Sequence, residues 1–455
     1  MRKKIIPTEV VRRKRVRKLL KKSAPLFRNR LLIKRKKRIK TSMDNCGVNV
    51  VELDSALICN EFLSANEAFG KATSKPAKGC AKVKIPSKFD VFRNPERVVR
   101  TMVDISFKLM SPRVNEVFID HRRAVDSSLG SESLLGLLVT EIVSNRRRQL
   151  NEQIDVEGTF PKKSGSYKTL IKNIGIVREL SDDHFKDAED NKHGKKIHIY
   201  RKDNKYAENA SAKGDIKTAT ADECVEYLNA CLLSHKLEIT KDAKDKMKAC
   251  LGEVFDNAEE HCNRNKPVWF VRGYFNDVEK ARFLELSVFN LGNSIFDNFD
   301  ELPDSSASKK KALDYVNRHR HVIDEESLFT VAALQGAVST KGDEDPTRGH
   351  GSVTLIETFE ALYDEYKNLR CCNSYVTNAE MNIISGETII SFDGSYRSKT
   401  SDDDHGRERF VMPFNVSQSL MSPPDSRYVS KMNGVKFPGV MINIRIPLQG
   451  SVIPL

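Results

Sequence analysis

Residues 251–262 read LGEVFDNAEEHC and constrain this chain more than any other stretch. Glu253 and Asn257 stand four residues apart, so on a helix they share one face, one turn apart. A carboxylate and a carboxamide facing the same way suit Mg²⁺-nucleotide chemistry. The amide oxygen can complete an octahedral Mg²⁺ shell, and the carboxylate can orient or deprotonate an attacking water or hydroxyl. The same short pattern also describes a solvated polar stripe on an amphipathic helix, so the segments that follow it decide between the two.

The first of these is residues 284–295, LELSVFNLGNSI. Leu284, Leu286, Val288 and Phe289 form a strand-like run that ends at Asn290, Gly292 and Ser294. A polar residue followed by Gly at a strand end lets the backbone turn sharply beside a flat ligand. The second is residues 339–357, STKGDEDPTRGHGSVTLIE, where a polar loop runs through Gly349 and Gly351-Ser352 into an apolar, helix-like stretch. Glycines at a helix N-terminus expose N–H groups to phosphate, and the helix dipole adds to the attraction. No G-x-x-x-x-G-K-[ST] loop occurs, so a P-loop route to ATP is not supported.

In order and spacing these segments resemble the GHKL ATP-binding superfamily of gyrases, mismatch-repair ATPases, histidine kinases and anti-sigma-factor serine kinases. Residues 253–258 match its N-box, 290–295 its first glycine box, and 339–352 its lid and second glycine box. Residues 437–448, FPGVMINIRIPL, resemble its last strand. The resemblance spans about residues 220–455 and implies an α/β sandwich with ATP and Mg²⁺ as ligands. It implies that Asn257 ligates Mg²⁺ and that Asn290 reads adenine. Gly292, Ser294, Gly349, Gly351 and Ser352 would wrap the nucleotide, with Lys341 near the phosphates. Asn290 stands where the family usually has Asp, and its carbonyl can accept the same hydrogen bond. Ser294 and Val353 stand where further glycines are common. Glu253 implies chemistry on the γ-phosphate, either hydrolysis or serine phosphorylation, and a nucleotide sensor without turnover is the third reading.

The basic charge is confined to one end. Residues 1–40 hold 19 Lys or Arg and one acid, Glu9, whereas the whole chain is only +14, so the remainder is net acidic. Like-charged blocks such as RRKRVR (12–17) and KRKKR (34–38) stay extended until an anion neutralises them. Nucleic acid is the expected partner, bound by counterion release; interleaved Val, Leu and Ile leave an anionic membrane as a second reading. The chain shows no run of about 18 apolar residues, no apolar signal core and no C-x-x-C pair, which reads as a cytoplasmic protein with free thiols.

Between tail and ATP-type segment, residues 81–180 alternate strand-like and helix-like runs. They are a strand at 83–85, a helix at 94–109 opened by Asn94-Pro95-Glu96, a strand at 117–120 and a helix at 131–143. The turn Asp126-Ser127-Ser128-Leu129-Gly130 is similar to the phosphoacceptor turn of STAS domains, which implies Ser127 or Ser128 as phosphoacceptor and a protein partner for the module. An ordinary Ser/Asp helix cap is the alternative.

The expected organisation is therefore a disordered basic tail and linker (1–80), a STAS-like α/β domain (81–180), a polar connector (181–222) and a GHKL α/β sandwich (223–455). Its fold class is α/β (α+β), and it is compatible with a homodimer. Residues 395–409 read as a polar loop. His319, His321 and His350 lack metal-ligand spacing. Deleting residues 1–40 is expected to remove most nucleic-acid affinity and flatten its dependence on salt. Binding measured across a salt series checks this, and an unchanged slope would refute it.

Overall fold

The computed structural model describes residues 41–43, 49–51, 58–68, 79–150, 152–162, 165–180, 197–204, 216–233, 238–260, 268–276, 282–335, 351–368, 379–402 and 408–447. The basic segment 1–40, Lys341, Gly349 and His350 lie outside these residues. No helix among the described residues is long and apolar enough to cross a membrane.

The N-terminal part is a small α/β unit. Strands β1 (Thr41–Met43) and β2 (Asn49–Val51) pair antiparallel and precede helix α1 (Ile58–Ala65). Then come β3 (Gly79–Lys84), β4 (Lys88–Phe89), α2 (Pro95–Leu109), β5 (Val114–Asp120), β6 (Asp126–Ser127), α3 (Leu129–Leu150), β7 (Asp155–Thr159), α4 (Gly165–Asn173) and α5 (Ile176–Glu179). Strands β3, β5 and β7 form a parallel sheet with β5 in the middle, and β4 pairs in parallel with β6. The expected alternation of strand and helix holds, with longer elements. Pro95 opens α2, but the Asn94 side chain makes no capping bond. Residues 126–127, expected in a turn, form a short strand.

The remainder builds one large sheet and its helical cover. In chain order these are β8 (Ile197–Asp203), α6 (Ile216–Leu233), α7 (Lys241–Glu260), β9 (Trp269–Asn276), β10 (Phe283–Leu291), α8 (Ile295–Asp300), α9 (Ala307–His319), α10 (Glu325–Ala333), α11 (Gly351–Asn368), β11 (Glu380–Gly386), β12 (Thr388–Phe392), β13 (Lys399–Asp402), β14 (Glu408–Val411), β15 (Val429–Lys431) and β16 (Phe437–Pro447). The seven-stranded sheet runs β15-β12-β11-β16-β10-β9-β8, antiparallel throughout. Two boundaries differ from expectation. The polar stretch 181–222, expected as a connector interrupted by one short strand at 196–201, holds that strand as β8 at the edge of the sheet, with Ile199 and Tyr200 buried on opposite faces, and also the start of α6. The polar loop 395–409 contains β13 paired with β14, since a hairpin satisfies its backbone without an apolar face.

The sheet is buried on both faces, which is unusual for antiparallel strands. Alternation along β10 assigns the faces. Leu284, Leu286 and Val288 join Phe255, Trp269 and Ile356 in a core beneath α6, α7 and α11. Phe289 and Leu291 join Leu134, Leu135 and Val103 in a second core beneath the N-terminal unit. Polar residues on the second face need partners from that unit. Arg445 of β16 donates to Glu285 (2.7 Å), Glu380 (3.2 Å) and Asp90 (3.0 Å), and its guanidinium lies 4.4 Å from the Phe92 ring centroid. Glu285 in turn accepts from the Leu129 N–H at the start of α3, at 2.5 Å. Further along, Glu179 of α5 pairs with Arg272 of β9 at 3.1 Å.

Arg445→Ala leaves Asp90, Glu285 and Glu380 without their shared counter-charge, and is expected to destabilise the protein by about 3–5 kcal/mol. Burial already pushes the Glu285 and Glu380 carboxyls above their ordinary range, with Arg445 opposing the shift. In the variant the folded form therefore binds more protons than the unfolded chain. Its deficit should shrink as pH falls from those raised values into the ordinary carboxylate range, as urea titrations at several pH values would show.

Candidate functional site

Helix α7 divides its polar residues into two groups. Lys217 of α6 pairs with Asp256 and, at 3.2 Å, with Glu259. Glu259 also accepts from the indole N–H of Trp269 at 2.8 Å, and the Trp269 ring stacks on Phe255 at 4.7 Å. These contacts fix the roll of α7 on the sheet. Glu253, exposed, and Asn257, half-buried, have no hydrogen bond or ion pair among the described residues. Helix α11 lies alongside α7, and its Thr358 hydrogen-bonds the Cys250 thiol, whose pKa burial pushes up to about 11.

The strand end that follows is equally specific. Asn290 is 6% exposed, and its place in the alternation of β10 puts it on the same sheet face as Val288, under the α7–α11 layer. Its carboxamide has no hydrogen bond among the described residues. Gly292 turns with φ +128°, a region that favours glycine, and its N–H bonds Pro438 O at 3.2 Å. Across from it, Gly439 has φ +129°, and a Cβ there would lie 2.2 Å from Asn290 O. Gly439 went unread in the sequence. The available signal was a glycine interrupting the alternating strand 437–447, a mark of close backbone approach.

Ser294, expected in the first glycine box, is the N-cap of the helix that follows. Its Oγ accepts from the Asp297 N–H (3.1 Å), while Asp297 accepts from the Ser294 N–H (2.8 Å) and hydroxyl (2.7 Å). This reciprocal cap starts α8 and commits the hydroxyl to the fold. Gly351 and Ser352 are the first two residues of α11, at the end where unpaired N–H groups point outward.

The two serines of the 126–130 segment lie elsewhere. Ser128 is fully buried, and its Oγ accepts from Val91 N–H at 3.0 Å and contacts Ser131 Oγ at 3.1 Å. The Ser127 hydroxyl is also buried, and its carbonyl accepts from Arg445 at 3.4 Å. Both sit between the N-terminal unit and the sheet, on the face opposite Asn290. The structure thus brings α7, the end of β10 and the start of α11 to one side and leaves Ser127 and Ser128 on the other.

No three His, Cys, Asp or Glu side chains converge among the described residues. A divalent ion here would have the Asn257 amide, with Glu253 a turn away. That sparse set fits Mg²⁺, which keeps several waters and takes ligands from substrate phosphates. No protein-family model, curated protein or solved structure matches the chain.

Ser294→Ala removes a side-chain cap and is expected to cost about 1 kcal/mol of stability, seen as a lower midpoint in urea. An unchanged midpoint would show that the cap contributes nothing.

Proposed function

We propose that the protein binds Mg-ATP in the manner of the GHKL superfamily and hydrolyses it, with the lid segment within 339–352 closing over the nucleotide. The observation that carries this reading is the division of labour on α7. Its Asp256 and Glu259 are engaged by Lys217 and Trp269, while the side chains of Glu253 and Asn257 have no partner among the described residues, on the layer that also covers the Asn290 carboxamide.

In this reading the Asn290 carbonyl accepts from the adenine amino group. Gly292 and Gly439 allow close backbone approach, and the first N–H groups of α11, at Gly351 and Ser352, receive phosphate oxygens. Asn257 would hold Mg²⁺, which would supply neutralisation of phosphate charge. Glu253 orients the attacking water and takes its proton, so that ADP and inorganic phosphate leave. Ser127 and Ser128 lie across the sheet and are enclosed, which favours water over these serines as acceptor. Lid movement would then be a switch in a regulatory or defence setting, with residues 1–40 engaging nucleic acid.

The test is γ-labelled ATP with Mg²⁺, counting free phosphate and the protein band separately. Free phosphate is expected, and Glu253→Gln should lower its release by about a hundredfold or more. Asn290→Ala should weaken ATP binding by about tenfold, the loss of one buried hydrogen bond. Label in protein instead would establish a serine kinase, and ATP binding without turnover would establish a sensor.

A further inference from the structure

A second surface stands out on the edge of the helical layer, and it owes nothing to the nucleotide reading. Residues 413–426 form a loop held in an uncommon conformation. Phe414 and Gln418 have φ of +54° and +49°, positions that non-glycine residues seldom adopt. Phe414 is fully buried against Phe392 (5.2 Å between ring centroids) and anchors the loop. The Asn415 carboxamide donates to the carbonyls of Ser419 (2.9 Å) and Ser422 (3.1 Å) and accepts from the Ser417 hydroxyl (2.9 Å). A loop so determined displays its tip at little further cost in entropy. That tip carries Val416, 87% exposed, and Met421, 68% exposed, the two most exposed large apolar side chains among the described residues.

The loop is fastened to the C-terminal end of α9. Buried His319 donates from Nε2 to Leu420 O at 2.9 Å, which brings the chain next to Met421 up to the end of α9, where Arg318, Arg320, His321 and Val322 flank His319 in sequence. All of these four are exposed, Val322 by 56%. Arg318 and Arg320 have no ion pair among the described residues. Exposed Lys310 and Lys311 extend the cationic character along α9, against the acids Asp314 and Glu325. Nucleic-acid phosphate would use the cations and gain nothing from Val416 and Met421. An anionic bilayer uses both, since each nearby cation is attracted to the headgroups and each protruding apolar group leaves water for the acyl boundary.

We propose that this corner docks on anionic phospholipid membranes, with Val416 and Met421 inserted and Arg318 and Arg320 at the headgroups. The test uses the full chain with phosphatidylcholine vesicles, with and without phosphatidylserine. Residues 1–40 are also cationic, so the readout must come from the loop itself. Val416→Trp should shift its emission to the blue on phosphatidylserine vesicles and not on pure phosphatidylcholine, over a constant background from buried Trp269. Val416→Asp with Met421→Asp, and separately Arg318→Glu with Arg320→Glu, should each weaken vesicle binding by about tenfold while unfolding midpoints stay unchanged. An unshifted emission at vesicle saturation, or unaltered binding by either double variant, would overturn the proposal. So would Arg318→Glu with Arg320→Glu abolishing DNA binding while lipid binding is untouched.

Discussion

Arg445 is the contact on which the layered arrangement turns. Where a second unit covers a face of an antiparallel sheet, the charged side chains on that face need partners there, because they are removed from water. On the face of the N-terminal unit that requirement falls on Glu285, Glu380, Asp90 and the first N–H of α3, and one guanidinium reaches three of the carboxylates. Charged groups in such a place are poor glue compared with apolar packing, but they are intolerant of misplacement. Asn443, Asn382 and Ser287 form a polar ladder on the same face. Asn443 donates to Asn382 at 2.9 Å, and Asn382 reaches the Val91 carbonyl at 2.6 Å. The N-terminal unit and the sheet are therefore joined by orientation-specific bonds and not by shape alone.

The elements with strong periodicity were readable from residues alone. Alternation in β10 and β16 and the i, i+4 polar pair on α7 are properties of a few consecutive side chains, and the structure places them as such. What escaped was set by distant partners. The stretch 181–222 looked like a connector because its charges outnumber its apolar residues; its one short strand at 196–201 was legible, but not that Ile199 and Tyr200 suffice to join it to a sheet edge. Ser294 is a different case: its capping partner Asp297 lies only three residues on, so the helix cap was legible locally as a Ser-x-x-Asp pattern and went unread. Gly439 stayed silent because its reason is Asn290 O, well over a hundred residues earlier in the chain.

Separation by face also explains why one strand can serve two purposes. Side chains alternate along β10, so Glu285 bonds the N-terminal unit while Asn290, five positions on, belongs to the opposite layer. A substitution at one position need not move the other, but a shift of register by one residue would exchange them. The paired strands β9 and β16 hold that register with uninterrupted ladders on both sides of β10.

The position of β16 has a consequence for how the molecule comes to exist. This last described strand lies in the interior of the sheet, between β10 and β11. As the chain emerges during synthesis, β10 and β11 each present an open edge until residues 437–447 arrive to bridge them. The sheet therefore cannot close progressively from its N-terminal side, and the nascent protein carries the open apolar edges of β10 and β11 until residues 437–447 are made.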